Sequence, residues 1–320
     1  MSEVRTHQLI IPETLAGARL DRALSELLAD YSRTLLKTLI EEGRVLVNGA
    51  TRRPRDPVRA GDEVALEVTL AATGHLAREK VDFEVVHADR DVIVVNKPAG
   101  LVVHPGAGNP GRTLVNGLLH RYPKLAELPR AGLIHRLDKD TSGLLVVART
   151  PAAFQTLTSA MAGREIHRRY HAIVNGVMVA GGTVDAAISR DRVHRTRMRV
   201  SEGGREAVTH HRVLKRFRAH TYVELTLETG RTHQIRVHMQ HIGYPILGDP
   251  VYGGRRRLPP AALPELVAML DAFDRQALHA REIAFEHPRT GEPLAFECAL
   301  PGDFEAVLEV LEADRVAVPA

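Results

Sequence analysis

The chain has 320 residues, of which 44% are hydrophobic and 26% charged, with a formal net charge of +4. These values are typical of an ordinary globular protein with room for about two domains. No apolar run approaches the ~18 residues of a membrane span, and the N-terminus lacks the apolar segment of a secretory signal. The single cysteine, Cys298, excludes an internal disulfide and a cysteine-based zinc cluster, and its alternating surroundings predict a strand or core position. We therefore expect a cytoplasmic protein.

Charge is unevenly distributed along the chain. Residues 1–70 carry 10 basic against 11 acidic side chains, residues 71–257 carry 29 against 16, and residues 258–320 carry 4 against 12. The middle segment therefore holds the excess positive charge, which favours a polyanionic partner. Only six of the 43 basic residues are lysine, and arginine is the side chain that both pairs with phosphate and stacks on bases.

The first 70 residues predict two short helices and a small β-unit. Apolar residues recur at helical spacing over residues 20–31 and again over 35–40, with Ser32 as the predicted N-cap and Gly43 as the stop of the second helix. The stretch RVLVNG then predicts a short strand that enters an Asn-Gly turn, and EVALEV predicts a second strand. Together these elements predict a compact module.

The stretches RLDRAL, SRTLLKTLIEEGRVLVNG and VRAGDEV of this module resemble the S4 RNA-binding domain. The resemblance implies that the face formed by the two helices docks on structured RNA. Because acidic residues are interspersed on that face and the module is slightly acidic overall, a solvated helix face stays open as an alternative. The basic candidates for RNA binding are Arg19, Arg22, Arg33, Lys37 and Arg44.

Residues 71–82 are small and polar without a clear period, and we predict a linker there. From residue 83 to residue 320, strand patterns such as VIVV, GLLVVA and YVELTL mix with helical stretches such as TPAAFQTLTSAMAG and THQIRVHMQHIG. This mixture, without a regular βα repeat, predicts an α+β domain around a mixed, mostly antiparallel sheet. The acidic tail predicts a helix that packs through Phe304, Val307, Leu308 and Leu311.

A charged loop separates two apolar stretches in AGLIHRLDKDTSGLLVVART, residues 131–150. Short apolar runs flanked by glycine predict buried strands, so the loop is held by rigid elements, where proteins commonly present catalytic groups. A solvated hairpin whose charges face water is the alternative. The charged residues of the loop are His135, Arg136, Asp138, Lys139 and Asp140.

Two familiar hydrolytic sites fit this loop poorly. The stretch DTSG has no second Asp-Thr-Gly or Asp-Ser-Gly loop in the chain, which an aspartic protease site requires. His135, Asp138 and Ser142 lack the G-x-S-x-G turn of a hydrolase, and they lie too close together in one loop to converge. Neither class is therefore expected.

A zinc site built from histidines is also a weak hypothesis. His233, His238 and His241 have no nearby carboxylate that completes an obvious ligand set, and the HExxH pattern is absent. We interpret the 17 histidines as polar surface groups and RNA-facing groups, and we expect no metal.

The unusual stretches of the larger domain together resemble one family, the pseudouridine synthases that modify ribosomal RNA. HRLDKDTSG is similar to the signature loop of that family. With the S4-like module, the resemblance covers most of the chain in the family's order. The further stretches that carry it are VIVVNKPAGLVVHPGAGN (92–109), REIHRRYHAIVNG (164–176), GREAVTHHRV (204–213), LETGRTHQIRVHMQHIGYPILGDPVYGG (227–254) and RQALHAREIAFEHPRTGE (275–292).

The resemblance implies an isomerase that cuts the N1–C1′ bond of a uridine, turns the base and rejoins it through C5. Nothing is oxidised and no group is carried away, so we expect no cofactor. Asp138 matches the family's catalytic aspartate, Arg236 matches the basic residue that pairs with it, and Tyr170 matches the tyrosine that stacks on the uracil. A nearby arginine keeps a buried carboxylate ionised against desolvation. Ordinary strand packing is the alternative role for Tyr170.

A paired uridine cannot reach such a pocket, so its base must flip out of the stack. Arg136 resembles the residue that occupies the vacated space. Arg231, Thr232 and His233 lie at the start of a predicted helix, and we expect them to contact the substrate, with simple helix capping as the alternative. Asp140 is predicted only to order the loop.

The expected partner is large-subunit ribosomal RNA or its precursor. We expect no membrane association, and we expect the protein to act as a monomer. The alternatives are a synthase for other ribosomal or transfer RNA uridines, and an RNA-binding ribosome assembly factor whose catalysis is secondary.

Overall fold

A computed structural model describes residues 3–28, 31, 33–70, 76–106, 108–194 and 196–317. Its contacts divide the chain into two units, residues 1–75 and residues 76–320. Each unit has a hydrophobic core of its own. Within the described ranges, no helix combines the length and the apolar character that a membrane crossing requires.

The small unit pairs two helices with a four-stranded antiparallel sheet in the order β1-β4-β2-β3. The sequence did not predict the edge strand β1, whose alternation is interrupted by polar residues. The elements are β1 (Glu3–Ile10), α1 (Leu20–Leu27), α2 (Arg33–Glu41), β2 (Val45–Val47), β3 (Ala50–Thr51) and β4 (Glu63–Leu70).

The apolar stripes of α1 and α2 form the core of the small unit, as their spacing predicts. Leu20, Leu24 and Leu36 are almost fully buried in one cluster with the inward side chains of the strands. Gly43 follows α2 with φ +73°, a conformation that favours glycine and ends the helix. Ser32, the predicted N-cap, lies outside the described residues.

The large unit is an α+β domain whose helices and strands occur in mixed order. Its elements are β5 (Glu84–Ala88), β6 (Val92–Lys97), α3 (Leu114–Arg121), β7 (Ser142–Ala148), α4 (Pro151–Ala162), β8 (His167–Asn175), β9 (Gly182–Asp185), β10 (Ile188–Arg190), β11 (Met198–Val200), β12 (Val208–Arg216), β13 (His220–Leu227), α5 (Gln234–His241), α6 (Pro264–Ala272), β14 (Leu278–Glu286), β15 (Pro293–Glu297) and α7 (Gly302–Ala317).

The main sheet of the large unit runs β5-β6-β7-β14-β8-β13-β12-β9, with β15 paired to β14. Only the β7–β14 pair is parallel among the described strand pairs, so the predicted mixed, mostly antiparallel sheet is confirmed. Alternate residues of one strand enter different cores: Ile93 and Val95 join one cluster, and Val92 and Val94 join another. This central part of the sheet is therefore buried on both faces.

The predicted linker, Cys298 and the tail helix can each be located in the large unit. Residues 76–82 of the predicted linker contact this unit, since the Asn116 side chain donates to the carbonyl of Ala77 at 2.8 Å. Cys298 follows β15 instead of lying within it, and it is buried with Sγ 3.2 Å from Nε2 of His279. In the tail helix α7, Phe304 and Val307 are fully buried, as predicted.

Candidate active site

One cavity of about 950 Å³ in the large unit brings the predicted catalytic and substrate-binding residues together. They come from segments that are far apart in the sequence: the charged loop, the strand β8 and the start of α5. The predicted residues that line the cavity are Arg136, Asp138, Tyr170, Arg231, Thr232, His233 and Arg236.

Rigid elements hold the charged loop at this cavity. The strand that follows it, β7, is buried along its whole length in the middle of the sheet. At the start of β7, Gly143 adopts φ +112°, and a β-carbon there would collide with the backbone of Ala280 in β14. The close parallel contact of β7 and β14 therefore requires glycine at this position, and it fixes where the loop ends.

Arg236 joins two carboxylates in the wall of the cavity. Its Nη1 donates to Oδ2 of Asp138 at 2.8 Å, and its Nε and Nη2 donate to both oxygens of Asp249 at 2.7 and 2.9 Å. The side chains of Arg236, Asp138 and Asp249 are 6%, 17% and 0% exposed. Only a guanidinium has the planar fork that can serve both partners at once. The partly exposed Asp138 thus faces the cavity, while Asp249 anchors the arginine behind it.

Asp249 and Tyr252 are site residues to which the sequence analysis assigned no role. Asp249 Oδ1 also accepts the backbone N–H groups of Val251 and Tyr252 at 2.8 and 2.9 Å. The Tyr252 ring lies 5.0 Å from the Arg236 guanidinium, and its hydroxyl is 2.9 Å from Nδ1 of His233. The stretch LGDPVYGG is the sequence feature that could have revealed both residues. Its turn, which follows α5, places a carboxylate and an aromatic ring next to Arg236.

Burial and neighbouring charges shift the pKa values of Arg236, Tyr170 and His233 in the cavity. Burial alone would lower the pKa of Arg236, but the hydrogen bonds and charges of Asp249 and Asp138 outweigh it and raise the pKa above its usual value. Burial raises the pKa of Tyr170, so its phenol stays protonated at neutral pH. Burial also lowers the pKa of His233, although the nearby charge of Asp138 opposes the shift. The arginine is therefore the permanent cation beside Asp138.

A buried lysine fixes the far end of the charged loop. Lys97 is 0% exposed, and its ammonium donates to the carbonyls of Pro98, Leu101 and Lys139 at 2.8, 3.0 and 2.8 Å. Burial lowers the pKa of Lys97 to about 7, against the opposing charges of Asp140 and Asp138. Three carbonyl acceptors match the three protons of an ammonium group, so the contact favours the charged form.

Asp140, which is predicted to order the loop, contacts residues outside it. The backbone carbonyl of Asp140 accepts a hydrogen bond from Nη1 of Arg275 at 3.3 Å, and the charge of its carboxylate acts on the buried Lys97 ammonium. Lys97 and Gln276 complete the attachment, the latter through the Thr141 hydroxyl at 3.1 Å. The loop is therefore ordered mainly by donors from outside it, which its own sequence does not reveal.

Replacing Lys97 with methionine is expected to lower the free energy of unfolding by about 3 kcal/mol, because it leaves buried carbonyl acceptors without donors. Urea unfolding of the full chain measures this change. Lys139→Met is the matched control, since the Lys139 side chain is exposed and only its carbonyl takes part. Equal stability of the two variants would contradict the role assigned to Lys97.

His135, Asp138 and Ser142 do not form a catalytic triad among the described residues. Ser142 Oγ lies 2.9 Å from Nδ1 of His279 and not beside His135, whose Nε2 accepts the backbone N–H of Val146 at 3.3 Å.

The interpretation of the histidines as surface groups is wrong for several of them, since His220, His238 and His279 are at most 1% exposed. Their burial lowers the pKa of His220 and His279 to about 4.

The residues before α5 are arranged differently from the capping alternative. His233 is the N-cap residue with φ +56°, but its side chain makes no capping hydrogen bond. The Gln234 side chain instead accepts the backbone N–H of Arg231 at 2.9 Å. Thr232 and Arg136 both line the cavity, and both are exposed. The side chains of Thr232 and His233 are thus available to a ligand in the cavity.

The basic candidates of the small unit mostly pair with neighbouring acids. Arg19 pairs with Asp21 at 3.0 Å, Arg22 with Glu26 at 2.9 Å, Lys37 with Glu41 at 3.4 Å and Arg44 with Glu67 at 3.8 Å. The side chain of Arg33 lies outside the described part of the structure. The Arg22–Glu26 and Lys37–Glu41 pairs are exposed on both sides, and such pairs contribute only about 0–1 kcal/mol.

One cluster in the described ranges has the spacing of metal ligands, namely Asp89, Asp91 and His287. Its groups already have partners: Asp91 accepts from Arg289 at 2.6 Å, and Asp89 contacts His87 and His287 at 2.9 and 3.2 Å. None of these residues lines the cavity. The side chains of this cluster therefore connect the turn between β5 and β6 to the loop after β14.

Comparison with known proteins defines the class of this fold and site. A family model described as RNA pseudouridylate synthase matches residues 91–241, and a model of the S4 domain matches residues 18–64. The chain belongs to the RNA pseudouridine synthase family, and it is an RNA pseudouridine synthase with an N-terminal S4 domain.

Individual relatives agree with this assignment. The chain is 49% identical over 317 residues to ribosomal large subunit pseudouridine synthase D of Pseudomonas aeruginosa, covering 99% of both chains. It is 48% identical over 305 residues to the protein of the same name from Escherichia coli, covering 95% of this chain and 94% of that protein. Among solved structures, human RNA pseudouridylate synthase domain containing 4 is similar with a TM-score of 0.56 and 30% identity, covering 72% of this chain and 93% of that chain.

Proposed function

We propose that this protein isomerises specific uridines to pseudouridine in large-subunit ribosomal RNA. The names of its full-length relatives support this substrate. The lining of the cavity also supports a polyanionic substrate, since it includes six arginines but only two acidic residues. The single free cysteine, which is buried, fits the reducing cytoplasm where ribosomal RNA is modified.

The contact of Arg236 with Asp138 is the observation that carries the proposed chemistry. The Asp138 carboxylate at the cavity wall accepts a hydrogen bond at 2.8 Å from the buried Arg236 guanidinium, which holds it in place beside a permanent positive charge. Asp138 is the catalytic carboxylate in this proposal, and it acts on the target nucleotide while the N1–C1′ bond breaks and the C5–C1′ bond forms. Asp249 and Tyr252 position the arginine and do not touch the substrate.

The other cavity residues handle the base. Tyr170 offers a buried aromatic face on which a flipped uracil stacks, and its protonated phenol lies in the same cavity. Arg136 extends from the exposed side of the charged loop, where it fills the space that the uridine leaves. Arg231, Thr232 and His233 contact the nucleotide from the start of α5.

The small unit directs the enzyme to folded RNA in this proposal. All of the proposed catalytic residues lie in residues 76–320, and each unit has its own core. Deleting residues 1–75 is therefore expected to weaken binding to folded large-subunit RNA by at least about tenfold, because several phosphate contacts are lost. Filter binding across salt concentrations and isomerisation of a short stem-loop measure the two effects separately. A truncated enzyme that modified the same sites in folded RNA with unchanged efficiency would rule out a targeting role.

Pseudouridine mapping in cells that lack the gene tests the substrate. We expect a small set of pseudouridines to disappear from large-subunit ribosomal RNA and to return with the wild-type gene. The Asp138→Asn gene should not restore them. Loss confined to small-subunit or transfer RNA would contradict the proposed substrate while leaving the enzyme class intact.

A further inference from the structure

The described part of the large unit contains three buried arginines, and one of them has no acidic partner. Arg236 pairs with two carboxylates, and Arg275 pairs with Asp303 at 2.6 Å. Arg168 is only 5% exposed, yet among the described residues no carboxylate lies within ion-pair distance and its buried Nε has no hydrogen-bond partner. A buried cation without a partner is costly and calls for a ligand.

Arg168 lies inside the active-site cavity. It belongs to β8 two residues before Tyr170, so both side chains point to the same face of the strand, and both line the cavity. Its guanidinium packs against Gly230, where an added β-carbon would lie 2.7 Å from Nη1. The charges of Arg168 and Asp138 act on the Tyr170 phenol with opposite effects on its pKa. The arginine, the tyrosine and the aspartate therefore surround one space.

We propose that Arg168 binds a non-bridging oxygen of a phosphodiester that flanks the target uridine. The substrate class supplies one anion on each side of every nucleoside, and a guanidinium donates to phosphate oxygens with two parallel N–H groups. A phosphate seated there would neutralise the buried cation and fix the ribose between Asp138 and Tyr170. This inference rests on the proposed function and adds a phosphate subsite to it.

The RNA-free protein should show the cost of the unpaired charge. Arg168→Gln removes the buried cation, so we expect the Tm of the RNA-free variant to equal or exceed that of the wild type. A residue with a merely structural role would instead lower the Tm. Arg168→Lys keeps a charge without the planar fork and should recover only part of the activity.

Neutral phosphate analogues test the contact directly. The probes are synthetic large-subunit stem-loops that the wild type isomerises, with a methylphosphonate in place of the phosphate on the 5′ or the 3′ side of the target uridine. For one of the two positions we expect wild-type kcat/KM to fall about 10- to 100-fold. Arg168→Gln should show a similar loss on the unmodified RNA and no further loss on that analogue.

The neighbouring residue provides the matched control. Arg169 points to the opposite face of β8, is 45% exposed and pairs with Glu282 at 2.7 Å. Arg169→Gln should retain wild-type kcat/KM and the full methylphosphonate penalty. Independent, multiplicative losses from Arg168→Gln and the analogue, or a wild type that tolerates both analogues, would overturn the phosphate assignment alone. A wild type that isomerises no large-subunit RNA would overturn the proposed function, and this inference with it.

Discussion

Asp138→Asn is expected to abolish isomerisation while RNA affinity stays within a few-fold of the wild type. The amide keeps the shape of the side chain and can still accept a hydrogen bond from Arg236, so the cavity is preserved. It cannot act as a nucleophile or a base, and loss of such a group usually costs far more than a hundredfold in rate. Single-turnover isomerisation at saturating enzyme, together with equilibrium binding, separates the two effects.

Asp140→Asn is the matched control for that experiment. Asp140 lies in the same charged loop, but the structure shows its contact with Arg275 through the carbonyl oxygen, which the substitution leaves in place. We expect activity within a few-fold of the wild type. Turnover of Asp138→Asn above about a hundredth of the wild-type rate would exclude Asp138 as the essential carboxylate.

Arg236→Ala is expected to damage both the chemistry and the fold of the cavity wall. It leaves Asp138 and the fully buried Asp249 without their shared cation. Removing one partner from a buried ion pair typically costs about 3–5 kcal/mol, and we expect the free energy of unfolding to fall by that order. Turnover should fall by at least about a hundredfold, since Asp138 loses the hydrogen-bond donor that holds its carboxylate in place.

Two further substitutions provide comparisons for Arg236→Ala. Arg236→Lys restores a cation but cannot bridge two carboxylates with one planar fork, so we expect partial recovery of stability and little recovery of turnover. Arg231→Ala should mainly raise the RNA Kd and reduce the salt dependence of binding by about one phosphate contact. If Arg231→Ala showed the chemical defect and Arg236→Ala only a binding defect, Asp138 would have been assigned the wrong arginine.

Periodic patterns predicted the scaffold well, because burial imposes a period on the sequence. The stripes of α1 and α2 and the alternating or continuous apolar runs of β6, β7 and β13 each lie where the pattern places them. The pattern did not predict the edge strand β1, because its sequence, EVRTHQLI, shows little apolar alternation and the strand pairs with only one neighbour. Such a strand is specified by the partner β4 more than by its own residues.

The candidate site could be predicted only where a motif carried the residue. Asp138, Tyr170 and Arg236 were found through the family resemblance, and the cavity that joins them required the fold. Lys97 has the surroundings of a surface turn, NKPAG, and its complete burial depends on carbonyls that are up to 42 residues away. The unpaired state of Arg168 was likewise invisible, since a sequence does not show which arginines lack a carboxylate.

Tritium release from [5-³H]uridine-labelled large-subunit RNA tests most directly whether this chain is a working synthase that uses Asp138. Formation of the C5–C1′ bond displaces the label from C5, so release reports the chemical step and not binding. We predict that the full-length wild type releases one tritium for each pseudouridine formed, and that Asp138→Asn binds the same RNA without release. Tight binding by the wild type with no tritium release would contradict the account and would indicate an RNA-binding assembly factor instead.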